Sequence, residues 1–142
     1  MILVDANVLL YAYDARSPHH ERCRAWVETA FSGDEPICVS WVTVLAFLRI
    51  STNPRIFPRP LRTEEALAVV TSWLARPAVS VLDAGERCWE VFKQAVTEAR
   101  ASGPLLMDAF LAALALENGA TLVTTDADFR RFTKLKLHDP TR

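Results

Sequence analysis

Four aspartates stand where a purely structural chain has little use for them. Asp5 closes the apolar run Ile2-Leu3-Val4, and Asp108 interrupts the apolar segment from Leu105 to Leu116. Asp126 and Asp128 follow Leu122-Val123 in the stretch Thr124-Thr125-Asp126-Ala127-Asp128-Phe129. Carboxylates gathered in one place repel each other unless a cation neutralises them. Oxygen-only donors favour a hard ion, Mg²⁺ or Mn²⁺, over zinc. Beside arginines, such an ion suits phosphodiester hydrolysis, because it acidifies bound water and stabilises charge on phosphorus oxygens. The histidines His19, His20 and His138 lack ligand spacing and read as surface or cap residues.

Each acid also has an ordinary reading. Asp5 and Asp126 can cap the helices that follow them, and Asp108 can sit in a helix's first turn as a dipole partner. The weight lies in the combination. A carboxylate on a helix as apolar as the one around Asp108 is costly unless it is paired or metal-bound. Glu117 lies nine residues further on, roughly 180° round a helix at 3.6 residues per turn, and is excluded from the set.

The elements that must position these residues are short apolar strands alternating with helices. Strands are expected at 1–4, 37–39, 79–82 and 121–123, with a short fifth at 135–137. Helices are expected at 6–13, from Ser17-Pro18 to Gly33, at 42–50, from a Thr63 cap to just before Pro77, at 85–101, and along the apolar stretch after Gly103-Pro104. Residues 53–62 carry Pro54, Pro58 and Pro60 and read as a loop. This alternation implies a parallel sheet covered on both faces. Ligands of such sheets bind beyond the carboxyl ends of the strands. Asp5 and the Asp126/Asp128 pair then share one edge, although about 120 residues separate them.

At 142 residues the chain reads as a single domain, 1–142. No apolar stretch approaches the roughly 20 residues a bilayer span needs, and the N-terminus lacks a basic region of the signal-peptide type. Cys23, Cys38 and Cys88 form no metal-binding pattern and fit a reducing, cytoplasmic setting. Net charge is −1, but the local pattern is uneven: the stretch between Pro36 and Thr63 has no acid and contains Arg49, Arg55, Arg59 and Arg62. A second basic group, Arg130, Arg131, Lys134 and Lys136, follows the last aspartates. Both groups can meet phosphates or simply face solvent.

Taken in order, Val4-Asp5-Ala6-Asn7-Val8-Leu9-Leu10, Asp108-Ala109 and Val123-Thr124-Thr125-Asp126-Ala127-Asp128-Phe129 resemble the motifs of PIN-domain ribonucleases, specifically VapC-type toxins of toxin–antitoxin pairs. Ser40-Trp41-Val42-Thr43-Val44-Leu45-Ala46-Phe47-Leu48-Arg49 with Thr52-Asn53-Pro54-Arg55 resembles one branch of that group. The resemblance covers essentially the whole chain. It implies a three-layer α/β/α sandwich on a short, mostly parallel sheet, Mg²⁺ or Mn²⁺ as cofactor, an RNA substrate, a homodimer and a cognate antitoxin protein. By position, Asp5, Asp108 and Asp126 would hold metal, Asp128 would be an accessory acid, and Asn7 and Thr125 would orient them. Arg49 and Arg55 are the first candidates for RNA phosphate contacts. One departure stands out. Many relatives carry a glutamate on the helix after the second strand, where this chain has Ala46, and Glu64 or Glu65 is a poor substitute.

Two other readings compete with a metal-dependent endoribonuclease. A PIN-like module could bind RNA or protein through a depleted site, which the missing glutamate favours. An aspartate-nucleophile phosphatase also places Asp after its first strand, but Asn7 stands where its second acid belongs.

Overall fold

The computed structural model describes residues 1–142. Five three-residue strands form one parallel sheet: β1 (Ile2–Val4), β2 (Ile37–Val39), β3 (Val79–Val81), β4 (Thr121–Val123) and β5 (Lys136–His138), in the order β3-β2-β1-β4-β5. Parallel strands need crossovers, and six helices supply them: α1 (Ala6–Tyr13), α2 (His20–Phe31), α3 (Trp41–Ser51), α4 (Thr63–Leu74), α5 (Cys88–Ala99) and α6 (Leu105–Asn118). A 3₁₀ turn, Ala127–Arg131, links β4 to β5.

Successive strand residues point to opposite faces, so each apolar strand feeds two cores. Val4, Ile37, Val39 and Val123 pack with Val8, Leu9, Val27, Phe31, Phe47, Val70 and Trp73 from α1 to α4. Leu3, Cys38 and Leu122 pack on the other face with Ala95, Ala99, Leu111, Ala112 and Ala115 of α5 and α6, and with Phe129 and Phe132. The result is the expected three-layer α/β/α sandwich. No helix is long and apolar enough to cross a membrane.

Some boundaries differ from the sequence expectation. α2 starts at His20, not at Ser17-Pro18, because the Ser17 hydroxyl accepts from the His19 N–H at 3.1 Å in a local turn. Thr63 is the first residue of α4 rather than its cap. There Glu65 reaches back to the Arg62 N–H at 3.1 Å and to Arg62 Nε at 3.0 Å. α5 stops at Ala99, where Arg100 takes the left-handed conformation with φ 50°. β5 is shifted one residue, to 136–138, since Leu135 is drawn into the core beside Phe132.

Candidate active site

The register of the two central strands builds the site. β1 and β4 align Val4 with Val123, so the residues that follow, Asp5 and Thr124, leave the same edge side by side. The Asp5 N–H still donates to the Val123 carbonyl at 3.0 Å. Asp5 then caps α1: its Oδ1 accepts from the Ala6 N–H at 2.7 Å. Its Oδ2 accepts from the Thr124 hydroxyl at 2.7 Å and from Asn7 Nδ2 at 3.0 Å. Thr124 is 4% exposed and also accepts from Asn7 Nδ2 at 3.1 Å and from the Asp126 N–H at 3.1 Å.

Thr125 joins the site through its backbone N–H, donated to Asn7 Oδ1 at 3.2 Å. The sequence reading did not single out Thr124, whose hydroxyl fixes Asp5. Asn7 occupies its expected position. Thr124 carries no signal in sequence by itself; its place opposite Asp5 follows only once β1 and β4 are neighbours.

Asp126 caps the 3₁₀ turn, accepting from the Asp128 N–H at 2.8 Å. Its capping role and its place beside Asp5 therefore coexist. Asp108 comes from the opposite layer, in the first turn of α6. Only the later part of that helix is buried: Met107 beside Asp108 is 54% exposed, while Ala109 and Leu111 to Ala115 are buried. Asp108 is half-buried.

The electrostatics tie the acids together. Burial pushes the Asp108 carboxyl up to about 6, and the neighbouring Asp5, Asp126 and Asp128 push in the same direction. Every charge acting on it is negative. Burial also raises Asp5, against the opposing hydrogen bonds from Thr124, Ala6 and Asn7, with Asp126 adding to the rise. Four acids from three separate segments of sequence thus lie near enough at one edge to act on one another's charge. Their oxygen-only donor set fits a hard divalent cation. No three side chains already stand as a closed ligand group, so the acids converge without forming a cage.

The remaining candidates lie elsewhere. Ala46 sits in mid-α3, three residues after Thr43, whose hydroxyl donates to the Val4 carbonyl at 3.4 Å. No acid from α3 approaches the cluster. Glu65 is held by Arg62, which lowers its carboxyl, and does not replace the missing glutamate. Glu117 accepts from the Gly85 and Arg87 N–H groups at 2.9 and 3.0 Å, securing the start of α5. Arg49 and Arg55 are exposed, at the last turn of α3 and in the following loop. Arg59 lines a cavity of about 400 Å³ with Tyr13, Phe47 and Phe57, away from the acids. A cleft of about 250 Å³ adjoins them instead, walled by Thr124, Thr125, Asp126, Arg130, His138 and Arg142 among others.

Fold and site together define a parallel α/β protein with an acidic site at the carboxyl ends of its central strands. The family model described as the PIN domain matches residues 2–135, and the chain belongs to that family. Among curated proteins it is similar to Ribonuclease VapC37 of Mycobacterium tuberculosis, 39% identical over 140 residues, covering 99% of this chain and 97% of that one. Ribonuclease VapC33 of the same species is 37% identical over 142 residues, covering 100% and 99%. Among solved structures, VapBC-1 from nontypeable Haemophilus influenzae matches with a TM-score of 0.73 at 21% identity, covering 100% of both chains. VapBC2 from Rickettsia felis, solved with a promoter DNA fragment, matches at 0.72 and 20%, covering 98% of both chains. These two share the fold.

Proposed function

We propose that this chain, as one domain of residues 1–142, is a divalent-metal-dependent endoribonuclease and the toxin of a toxin–antitoxin pair. The observation that carries the reading is the convergence of Asp5, Asp108, Asp126 and Asp128 at one sheet edge, with Asp5 fixed by Thr124 and Asn7. Relatives named as ribonucleases, nearly 40% identical across the full length, support the same activity. The VapBC assemblies among the structural neighbours support a cognate antitoxin as protein partner.

Asp5, Asp108 and Asp126 would hold Mg²⁺ or Mn²⁺, which supplies an acidified water and neutralises charge at the phosphorus. The chain's own residues do the rest. Thr124 and Asn7 hold the Asp5 carboxylate in one orientation, leaving it about one of its roughly four lone-pair directions. The Asp128 N–H holds Asp126 in the same way, and the Asp128 carboxylate adds negative charge beside the site as an accessory acid. With Ala46 in place of an acid, the ligand set is lean, and one strongly held ion is the natural stoichiometry.

A reducing cytoplasm suits the three free, buried cysteines. Trp41 and Leu45, one turn apart on α3 and 51% and 63% exposed, offer apolar surface for the second subunit of a homodimer.

The absence of an α3 acid favours a second reading, a module that binds RNA without cutting it. One experiment separates the two: incubation of total cellular RNA with the protein and Mg²⁺, with Asp5→Asn and excess chelator as blanks. Cleavage in the parent alone is expected. Equal cleavage in either blank removes the metal mechanism, and RNA binding without cleavage in the parent establishes the second reading.

A further inference from the structure

The charged groups acting on Asp108 are all carboxylates, so an RNA strand that reaches the acids meets negative charge first. A divalent ion offsets this at the scissile phosphate, but the neighbouring phosphates need a cation fixed just beyond the carboxylates. The cleft beside Asp126 is where the fold provides one.

Of the second basic group, only Arg130 lines that cleft. Lys134 lines a different concavity with Glu90 and Glu98. Lys136 pairs in register with Thr121, at the amino end of β4 and therefore at the far edge of the sheet. Arg142 and Asp139 both line the cleft and pair there at 3.4 Å, so their charges offset each other. Arg130 forms no ion pair. Its place is firm because the buried Phe129 and Phe132 anchor the 3₁₀ turn that carries it. A guanidinium presents a planar fork of donors that matches two phosphate oxygens.

We propose that the cleft walled by Thr124, Thr125, Asp126, Arg130 and His138 is a phosphate subsite, in which Arg130 binds the RNA backbone next to the cleaved bond. The proposal deepens the ribonuclease reading and rests on it. It moves the principal phosphate contact from the α3–α4 region, where Arg49 and Arg55 lie, to the turn after β4. The chemistry is that of a phosphodiester, and the occupant is the substrate strand.

The test is steady-state cleavage of a single-stranded RNA oligonucleotide with Mg²⁺, measured at several salt concentrations for the parent, Arg130→Gln, Arg130→Lys, Arg55→Gln and Arg76→Gln. Arg130→Gln should raise KM roughly tenfold with little change in kcat, as expected for losing one charge-assisted contact. The slope of log(kcat/KM) against log[salt] should become shallower by about 0.7, the value for one phosphate contact on a single strand. Arg130→Lys should restore the slope, and Arg76→Gln, before β3 at the opposite edge, should leave it unchanged. Unaltered melting of Arg130→Gln confirms the fold. A slope that responds to Arg55→Gln and not to Arg130→Gln overturns the assignment. So does an Arg130→Gln variant that cuts RNA normally but fails to bind an acidic protein partner. A parent that cuts no RNA overturns the ribonuclease reading itself, and this proposal with it.

Discussion

Asp108→Asn should stabilise the metal-free protein. The carboxyl stands at about 6 in the folded chain against an ordinary 3.8, a shift of roughly 2 units. At 1.36 kcal/mol per unit this sets a ceiling near 3 kcal/mol against folding at neutral pH. Asp108 is only half-buried, so solvent screening reduces that figure to about 1–1.5 kcal/mol. Loss of a favourable charge in the first turn of α6 offsets a few tenths more. A net gain of about 1 kcal/mol is expected, or roughly 3 °C in melting temperature for a chain of this size. The sign of the pH dependence follows from the direction of the shift. The folded chain holds this proton more tightly than the unfolded chain, so the group favours folding below pH 4, and that contribution is lost as pH rises through about 6. The advantage of the asparagine should therefore be absent near pH 4 and complete above pH 7. Urea denaturation of both proteins in excess chelator, at pH 4.5, 6 and 7.5, measures it. A variant no more stable than the parent at pH 7.5, or equally advantaged at every pH, refutes the electrostatic account of this site.

Thr124→Val should cost about 1–3 kcal/mol, since Asp5 Oδ2 loses its shortest donor in a buried setting; Thr124→Ser should recover most of it, and thermal melts with cleavage assays check both. Glu117→Ala should lower stability by about 1 kcal/mol by freeing two N–H groups at the start of α5, yet leave cleavage unchanged. Loss of cleavage in a variant that remains fully folded at the assay temperature would place Glu117 in the site after all.

The sequence was most readable where burial sets the pattern. Three-residue apolar strands covered on both faces must read as continuous hydrophobic runs, and Ile37-Cys38-Val39 does so residue for residue. Helix ends were less readable, because they depend on local competition. Ser17 spends its hydroxyl on a turn, and Arg100 ends α5 in a conformation no sequence rule assigns to arginine. Of the site, the acids could be named because each interrupts or ends an apolar run. What joins them could not. Thr124 and Thr125 are equivalent in sequence; strand register alone decides which hydroxyl meets Asp5. Likewise, the basic groups could be counted, but which one borders the acids depends on how the turn after β4 folds.

The four acids also differ in how completely the chain satisfies them, and the difference separates scaffold from chemistry. Asp5 accepts three hydrogen bonds, so capping, strand closure and site orientation are one arrangement there. Asp126 accepts one from the turn it starts. Asp108 accepts none, and burial and its three acidic neighbours all act against its charge. A structural aspartate in the first turn of a helix would normally keep its carboxylate in water or on a backbone N–H. This one lies near other acids, accepts no hydrogen bond within the chain, and carries an energetic cost as a carboxylate. Unrelieved costs of this kind are found at functional sites, where a ligand supplies the missing counter-charge. In the proposed metal mechanism Asp5 would hold the geometry of the edge, and Asp108 would supply the unrelieved negative charge that a cation offsets.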